Sequence, residues 1–217
     1  NELRALADIL LRYENVHILC DDIYEYFIYD KNKFSTLVEI EPKLKDRILI
    51  VNGMSKSYAM TGWRIGYGAG SEELIKAMKL VQSQSTSGAC SVSQMAAIEA
   101  LNGPQDFIKE CNEAFKKRRD IVVKTLHEAF GLKCTPPKGA FYVFVDCSGS
   151  FGKKTPAGNL IKDSNDLATY FLEEAHVAVV SGESFGVKGF FRVSYAVSDE
   201  DLHESCNKLK DACGALI

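Results

Sequence analysis

No C-x-x-C pair, no H-x-x-x-H spacing and no long apolar span occurs in these 217 residues. The seven cysteines, at positions 20, 90, 111, 134, 147, 206 and 213, are odd in number and scattered, which argues against a disulfide framework. Most lie in apolar surroundings, as Cys20 does in Val16-His17-Ile18-Leu19-Cys20, and read as reduced core thiols of a cytoplasmic protein. The four histidines, His17, His127, His176 and His203, are too dispersed for a zinc site. With no signal peptide and no run of about 20 apolar residues, a membrane is not an expected partner. An excess of charge is missing too. The net charge of -3 argues against nucleic acid as the main partner. There are no internal repeats or low-complexity tracts.

What is present fits an ordinary globular chain that can bury a core without disulfides or structural metal. The chain opens without methionine, on Asn1-Glu2-Leu3-Arg4-Ala5-Leu6-Ala7, with Leu3, Leu6, Ile9 and Leu10 at helical spacing. It is expected to be a piece of something longer. Residues 2–13 read as helix, 16–20 and 47–52 as short apolar strands, and 64–69 as a third strand. A helix follows from Ser71, with Glu72 and Glu73 in its first turn. Such strands among helices predict an α/β fold with a mostly parallel, doubly covered sheet. Ser91 and Gln94 have capping-box spacing for a helix ending near Gly103. Pro104 opens a longer helix to about Phe130, closed by Gly131. Beyond 132 the pattern turns strand-rich, at 139–146, 177–180 and 190–196, with helices near 164–175 and 199–213. The last helix is opened by Ser198 and Asp201. The stretch from Ser148 to Asn159 reads as an exposed loop.

Three constellations carry chemistry. Lys56 sits between Ser55 and Ser57 just after the strand Arg47-Ile48-Leu49-Ile50-Val51, and Arg64 follows eight residues later. A lysine in a loop is most often simply solvated. A lysine amine becomes a nucleophile toward carbonyls when burial or a nearby positive charge lowers its pKa, and an arginine fork suits a phosphate. The pair therefore suits a phosphorylated, aldehyde-bearing cofactor. Asp21-Asp22-Ile23-Tyr24 lies at the C-terminal end of strand 16–20, the edge where open parallel sheets bind ligands. A carboxylate there can hold a heterocyclic nitrogen protonated, with the tyrosine hydroxyl on the same ring. In Phe190-Phe191-Arg192-Val193-Ser194-Tyr195, alternation puts Arg192 on one face with Phe190 and Ser194. A guanidinium there needs an anion, either a substrate carboxylate or an internal Asp or Glu.

Ser55-Lys56-Ser57-Tyr58-Ala59-Met60-Thr61-Gly62-Trp63-Arg64-Ile65-Gly66-Tyr67 resembles the lysine motif of class I/II aminotransferases, the aspartate aminotransferase family of fold-type I pyridoxal-phosphate enzymes. Cys20-Asp21-Asp22-Ile23-Tyr24-Glu25 is similar to that family's Asp-Glu-x-Tyr segment. Pro137-Lys138-Gly139-Ala140-Phe141-Tyr142 resembles its small-domain strand. Gly182-Glu183-Ser184-Phe185-Gly186 with Phe191-Arg192-Val193-Ser194 resembles its C-terminal carboxylate site. The resemblance implies residues 1–100 as the C-terminal part of a large cofactor-binding domain, 101–130 as an interdomain helix and 131–217 as a small C-terminal domain. It implies pyridoxal 5'-phosphate as cofactor and Lys56 as its Schiff-base lysine and general base. Asp21 would face the pyridine nitrogen, Tyr24 the 3′ oxygen, Arg64 and Ser55 the phosphate, and Arg192 the amino acid's α-carboxylate. The implied reaction is ping-pong transamination between aspartate or a related amino acid and a 2-oxo acid such as 2-oxoglutarate, in a homodimer. The other readings are a carbon–sulfur lyase or synthase of the same fold, or a cofactor-sensing regulatory protein. Two positions depart from the family pattern. Gly53 stands where many relatives carry a phosphate-binding hydroxyl, and Ser181 where proline is common. The family's Asn-Pro-x-Asn-Pro-Thr-Gly segment, glycine-rich phosphate loop and ring-stacking aromatic are absent, so the piece alone is expected to hold the cofactor poorly.

Overall fold

A computed structural model describes residues 2–217, which form two compact units that divide between Glu110 and Cys111. The chain has the expected α/β character.

In the first unit, α1 (Glu2–Leu10) precedes β1 (Ile18–Asp21), a four-residue helix α2 (Leu37–Ile40), β2 (Ile48–Gly53) and β3 (Gly66–Ala69). β1 and β2 run parallel, with Asp21 opposite Val51. β3 runs antiparallel to β2, with Gly66 opposite Gly53. One parallel and one antiparallel pairing thus make up the sheet, in the order β1-β2-β3. Ala7, Leu37, Leu44 and Ile48 form a buried cluster, joined by Leu3, Leu10, Leu11, Ile18 and Ile50. The packed stripe of α1 is therefore Leu3, Ala7, Leu10, while Leu6 and Ile9 of the expected stripe are exposed. The helix has two apolar stripes, and one of them meets the sheet.

The helices α3 (Glu72–Ser85) and α4 (Ser91–Asn102) follow. Ser71 caps α3 by accepting from the Leu74 amide, and Glu72 pairs with Lys76 one turn on. The capping box expected at Ser91 and Gln94 does not form. Cys90 takes the cap position, and Gln94 donates to the Ala89 carbonyl at 2.8 Å. The reciprocal box occurs instead at Thr36 and Glu39, at the start of α2. α3 buries none of its residues, and Val92, Met95, Ile98 and Leu101 of α4 are exposed. The sheet of this chain is accordingly not covered on both sides. Leu19 and every residue of β3 are exposed.

The boundary between the units falls within α5 (Asp106–His127). This helix ends three residues short of Phe130, and Gly131 then takes a left-handed φ of 74°. Here glycine is required, since a Cβ would lie 2.5 Å from the Ser150 hydroxyl. The second unit is a four-stranded sheet in the order β4-β5-β7-β6, all neighbours antiparallel. Its strands are β4 (Lys133–Cys134), β5 (Tyr142–Asp146), β6 (Val180–Ser181) and β7 (Phe190–Ser194). Val143, Val145, Phe191, Val193 and Tyr195 are buried from it. From α6 (Ser164–Glu174), Phe171 meets Phe191 edge-on at 5.5 Å. α7 (Asp199–Gly214) buries Leu202, Cys206, Leu209 and Cys213, and Tyr170 of α6 donates to its Ala212 carbonyl. Ser198 caps α7 by accepting from the Asp201 amide.

The stretch from Ser148 to Asn159 is largely the exposed loop expected, pinned to the rest of the unit at a few points. Ser150 and Thr155 are buried, and Lys154 and Ile217 exchange two backbone hydrogen bonds of 2.9 Å. Of its glycines only Gly149 sits against neighbouring backbone, where an added Cβ would lie 2.9 Å from the Gly131 Cα, while Gly152 and Gly158 face open space.

Cysteine chemistry divides along the same lines. Burial pushes the thiols of Cys134, Cys147 and Cys213 up to about 12 and that of Cys206 to about 11. Cys90 is exposed, unlike the core thiol expected. The Ser93 and Val92 amides at the start of α4 favour its thiolate and draw its pKa below the ordinary value. Cys90 should react first with a thiol reagent at neutral pH, and the four buried thiols only on unfolding, as read by mass mapping of labelled peptides. An unfolded chain ionises these four thiols near their ordinary value, whereas the folded chain keeps them protonated. Stability should therefore fall as pH rises from about 9 toward about 12, measured by denaturant titration. Phe191→Ala should lower stability by about 3–5 kcal/mol in the same titration.

Candidate active site

Three short strands set the geometry of one sheet edge. Because β1 and β2 are parallel, their C-terminal ends lie together, at Asp21 and Gly53. Because β3 is antiparallel to β2, its N-terminal end at Gly66 lies at that same edge. Asp21 closes β1, Tyr24 lies in the turn after it, Ser55 and Lys56 follow β2, and Arg64 precedes β3. Topology alone thus gathers five of the six expected site residues. The sixth, Arg192, belongs to β7 of the second unit.

The lysine segment is a tight turn folded onto its own base. The Tyr58 and Met60 amides both donate to the Met54 carbonyl, and the Ala59 amide to that of Lys56. Met54 and Tyr58 are anchored in a cluster with Ala97 and Ile108. Tyr58 also donates to Gln105 at 3.0 Å, and burial pushes its phenol up to about 12. Lys56 and Ser55 are half-buried, and the Ser57 hydroxyl is buried without a hydrogen-bond partner among the described residues.

Arg64 was expected as the first residue of a strand; it is instead a left-handed residue, φ 51° and ψ 48°, ending a short 3-10 turn at Thr61–Trp63. Ala59, in the same loop, also has a φ of 51°. Two non-glycine residues in this region cost about 1 kcal/mol each or more, held here by the surrounding contacts. One such contact is Ser93 of α4, donating to the Trp63 carbonyl at 2.8 Å. The Arg64 guanidinium donates to the Thr61 carbonyl, and among the described residues no carboxylate pairs with it.

The departure at Gly53 has a steric cause. A Cβ there would sit 2.9 Å from the Gly66 Cα and 3.0 Å from the Ile65 carbonyl oxygen. A hydroxyl side chain at 53 is incompatible with the approach of β3, which leaves Ser55 as the nearby hydroxyl.

Sequence reasoning passed over a strut beneath the edge. Asn52, at the end of β2, donates to Glu25 at 2.8 Å and accepts from its own neighbour's amide at Gly53. It ties the Asp21–Glu25 turn to the base of the lysine turn. Burial raises the Glu25 carboxyl, and the Asn52 bond opposes that rise. Burial likewise raises Asp22, with Asp21 and Glu39 adding to it. Asp21 itself is exposed and accepts from the Ile23 amide. The signal for the strut was an amide side chain closing an otherwise apolar strand.

In the second unit Arg192 alternates with buried Phe191 and Val193, as expected. Of the two anions considered for it, the internal one is absent: among the described residues no Asp or Glu pairs with Arg192. Its guanidinium instead lies over the rings of Tyr142, at 4.4 Å, and Phe185, at 4.8 Å.

This arrangement has close counterparts. The aminotransferase class I and II family matches residues 1–209. A probable aspartate/prephenate aminotransferase of Rickettsia prowazekii is 56% identical over 99% of this chain and 54% of its own length. The crystal structure of the aspartate aminotransferase of Rhizobium meliloti is 53% identical with a TM-score of 0.95, over 99% of this chain and 54% of that one. An aromatic aminotransferase from Pyrococcus horikoshii is 32% identical with a TM-score of 0.87, over 96% of this chain and 54% of that one. The chain spans about half the length of the curated relatives it matches. It belongs to the aminotransferase class I and II family.

Proposed function

We propose that the protein carrying this chain is a pyridoxal-phosphate-dependent aminotransferase acting between aspartate or a related amino acid and a 2-oxo acid such as 2-oxoglutarate. The observation that carries this reading is the gathering of Asp21, Tyr24, Lys56 and Arg64 at one sheet edge. The donor set fits the cofactor group by group: an amine for its aldehyde, an arginine with no acidic partner among the described residues for its phosphate, a carboxylate for its ring nitrogen and a phenol for its ring oxygen. When bound, pyridoxal phosphate supplies an aldehyde that condenses with amines and a ring that accepts the electron pair left on the α-carbon.

The chain's residues then have distinct tasks. Lys56 would hold the cofactor's aldehyde through its side-chain amine. That amine, once free, would act as the general base that takes the proton from the substrate α-carbon. Asp21 keeps the ring nitrogen's proton in place, and Tyr24 donates to the ring oxygen. Arg64 binds the phosphate with the help of the Ser55 hydroxyl. Arg192 takes the α-carboxylate that amino acid and oxo acid share, a role supported by the lack of a pairing acid among the described residues. The 2-oxo acid reverses the sequence, so the two half-reactions use one set of groups.

Residues 1–100 are then part of a large cofactor-binding domain, 101–130 the interdomain helix and 131–217 the small domain. The exposed apolar side chains of α3, α4 and β3 agree with a larger domain completed by polypeptide outside this chain, in a homodimer.

In the full-length protein, borohydride reduction in the presence of pyridoxal phosphate should leave the cofactor's mass on the peptide containing Lys56. Lys56→Ala should lose that label and lower kcat by about a thousandfold or more. Oxo-acid formation coupled to amination of 2-oxoglutarate supports the reading, while ammonia release without an acceptor marks elimination and overturns it. The 217-residue chain alone should bind the cofactor weakly by absorbance titration and show no turnover.

A further inference from the structure

We propose that Tyr142 and Phe185 are positioning residues: their rings hold the Arg192 guanidinium in place and leave its N–H edge aimed at an incoming carboxylate. The inference rests on the reading of Arg192 as the carboxylate anchor and adds what prepares it for that role.

The first ring is placed by strand register. β5 and β7 pair antiparallel with Phe144 opposite Arg192 and Tyr142 opposite Ser194. Tyr142 is therefore the diagonal neighbour of Arg192 on the same sheet face, within reach of a long side chain. Its ring centroid lies 4.4 Å from the guanidinium carbon. The second ring arrives from a turn. Phe185 ends the 3-10 turn Gly182–Phe185, and its centroid lies 4.8 Å from the same carbon. Both distances are well inside the range in which a cation is attracted by an aromatic quadrupole.

The turn that carries Phe185 is itself fastened. The buried Ser164 hydroxyl, at the start of α6, donates to Glu183 at 2.6 Å. The Gly186 amide closes the turn onto the Glu183 carbonyl. Phe185 also meets Phe144 edge-on at 6.0 Å, and Phe144 stacks on Phe190 at 5.0 Å. The two rings are thus supported from separate elements.

Among the described residues no carboxylate or carbonyl accepts from the Arg192 guanidinium. A solvated arginine with this much freedom would lose rotamer entropy on capturing a carboxylate. Rings that hold it beforehand reduce that loss, and they satisfy the cation without occupying its donors. An internal Asp or Glu would hold the side chain as well but would compete with the ligand. Aromatic support is the solution that positions the arginine and keeps its N–H groups open.

The consequence is specific. Amino acid and oxo acid carry the same α-carboxylate, so removing a ring should raise KM for both substrates and change kcat little. In the full-length enzyme, Tyr142→Leu and Phe185→Leu should each raise both KM values by roughly three- to tenfold. Tyr142→Phe, which keeps a ring, should recover most of the loss. Phe185 is 45% exposed, so its replacement removes the ring without opening the core. In the 217-residue chain, ring currents should shift the Arg192 Nε–H resonance upfield, and each leucine variant should return it toward the position of a solvated arginine. If Arg192→Ala raises both KM values while the two leucine variants leave them unchanged, the positioning role is overturned and the carboxylate reading stands. If Arg192→Ala leaves both unchanged, the carboxylate reading falls and this inference with it. A resonance that does not move in either leucine variant overturns the ring contacts themselves.

Discussion

The close approach of two glycines, Gly53 and Gly66, governs the arrangement of the first unit. It lets β3 turn back along β2 with no side chain between them, so both ends of the lysine loop leave from one point of the sheet. From there the loop can span only twelve residues, Met54 to Ile65, and it does so with two left-handed non-glycine residues, Ala59 and Arg64. Lys56 and Arg64 belong to one loop pinched at its base, and that base lies beside the end of β1 because β1 runs parallel to β2. A bulkier pair at 53 and 66 would spread the loop's feet and separate the lysine from the arginine. The strain in the loop is offset by contacts from below, through Met54 and Tyr58, and from α4, through Ser93.

The second unit meets a different constraint. It must carry a permanent cation in a strand whose other face is core. Strand alternation settles the first half of the problem by sending Phe191 and Val193 inward and Arg192 outward. The second half is what the guanidinium rests against. Ion pairs occur elsewhere in this unit, between Arg118 and Asp199 and between Lys210 and Glu128, so acids are available to the fold. At Arg192 the neighbours are aromatic instead, an arrangement that suits the proposed role of its donors in holding a carboxylate.

The sequence was informative wherever residue type and local spacing carry the chemistry. A lysine between serines, an arginine eight residues on, a carboxylate ending an apolar run and an arginine alternating with phenylalanines could all be picked out without coordinates. Strand and helix positions followed from apolar periodicity, with ends displaced by a few residues. The misreadings share one cause, which is that local pattern does not say what lies opposite. Leu6 and Ile9 have helical spacing, but the sheet meets the other stripe of α1. Ser91 and Gln94 have capping spacing, yet Cys90 takes the cap. Tyr142 and Phe185 lie 50 and 7 residues from Arg192, and only the β5–β7 register and the turn before β7 bring them to it.

The two units also differ in how far they complete their own cores. In the second, α6 and α7 bury leucines, cysteines and aromatics against the sheet. In the first, α3 buries nothing, β3 is exposed along its length, and α4 exposes four large apolar residues. Apolar surface removed from water contributes about 25 cal/mol per Å², so these faces represent stabilisation that the first unit does not obtain from these residues. The groups proposed to bind the cofactor all stand on that incompletely covered unit. The proposed carboxylate anchor stands on the well-covered one. Cofactor affinity should therefore depend on polypeptide beyond this chain far more than the preparation of Arg192 does, because the rings that hold Arg192 come from within its own unit.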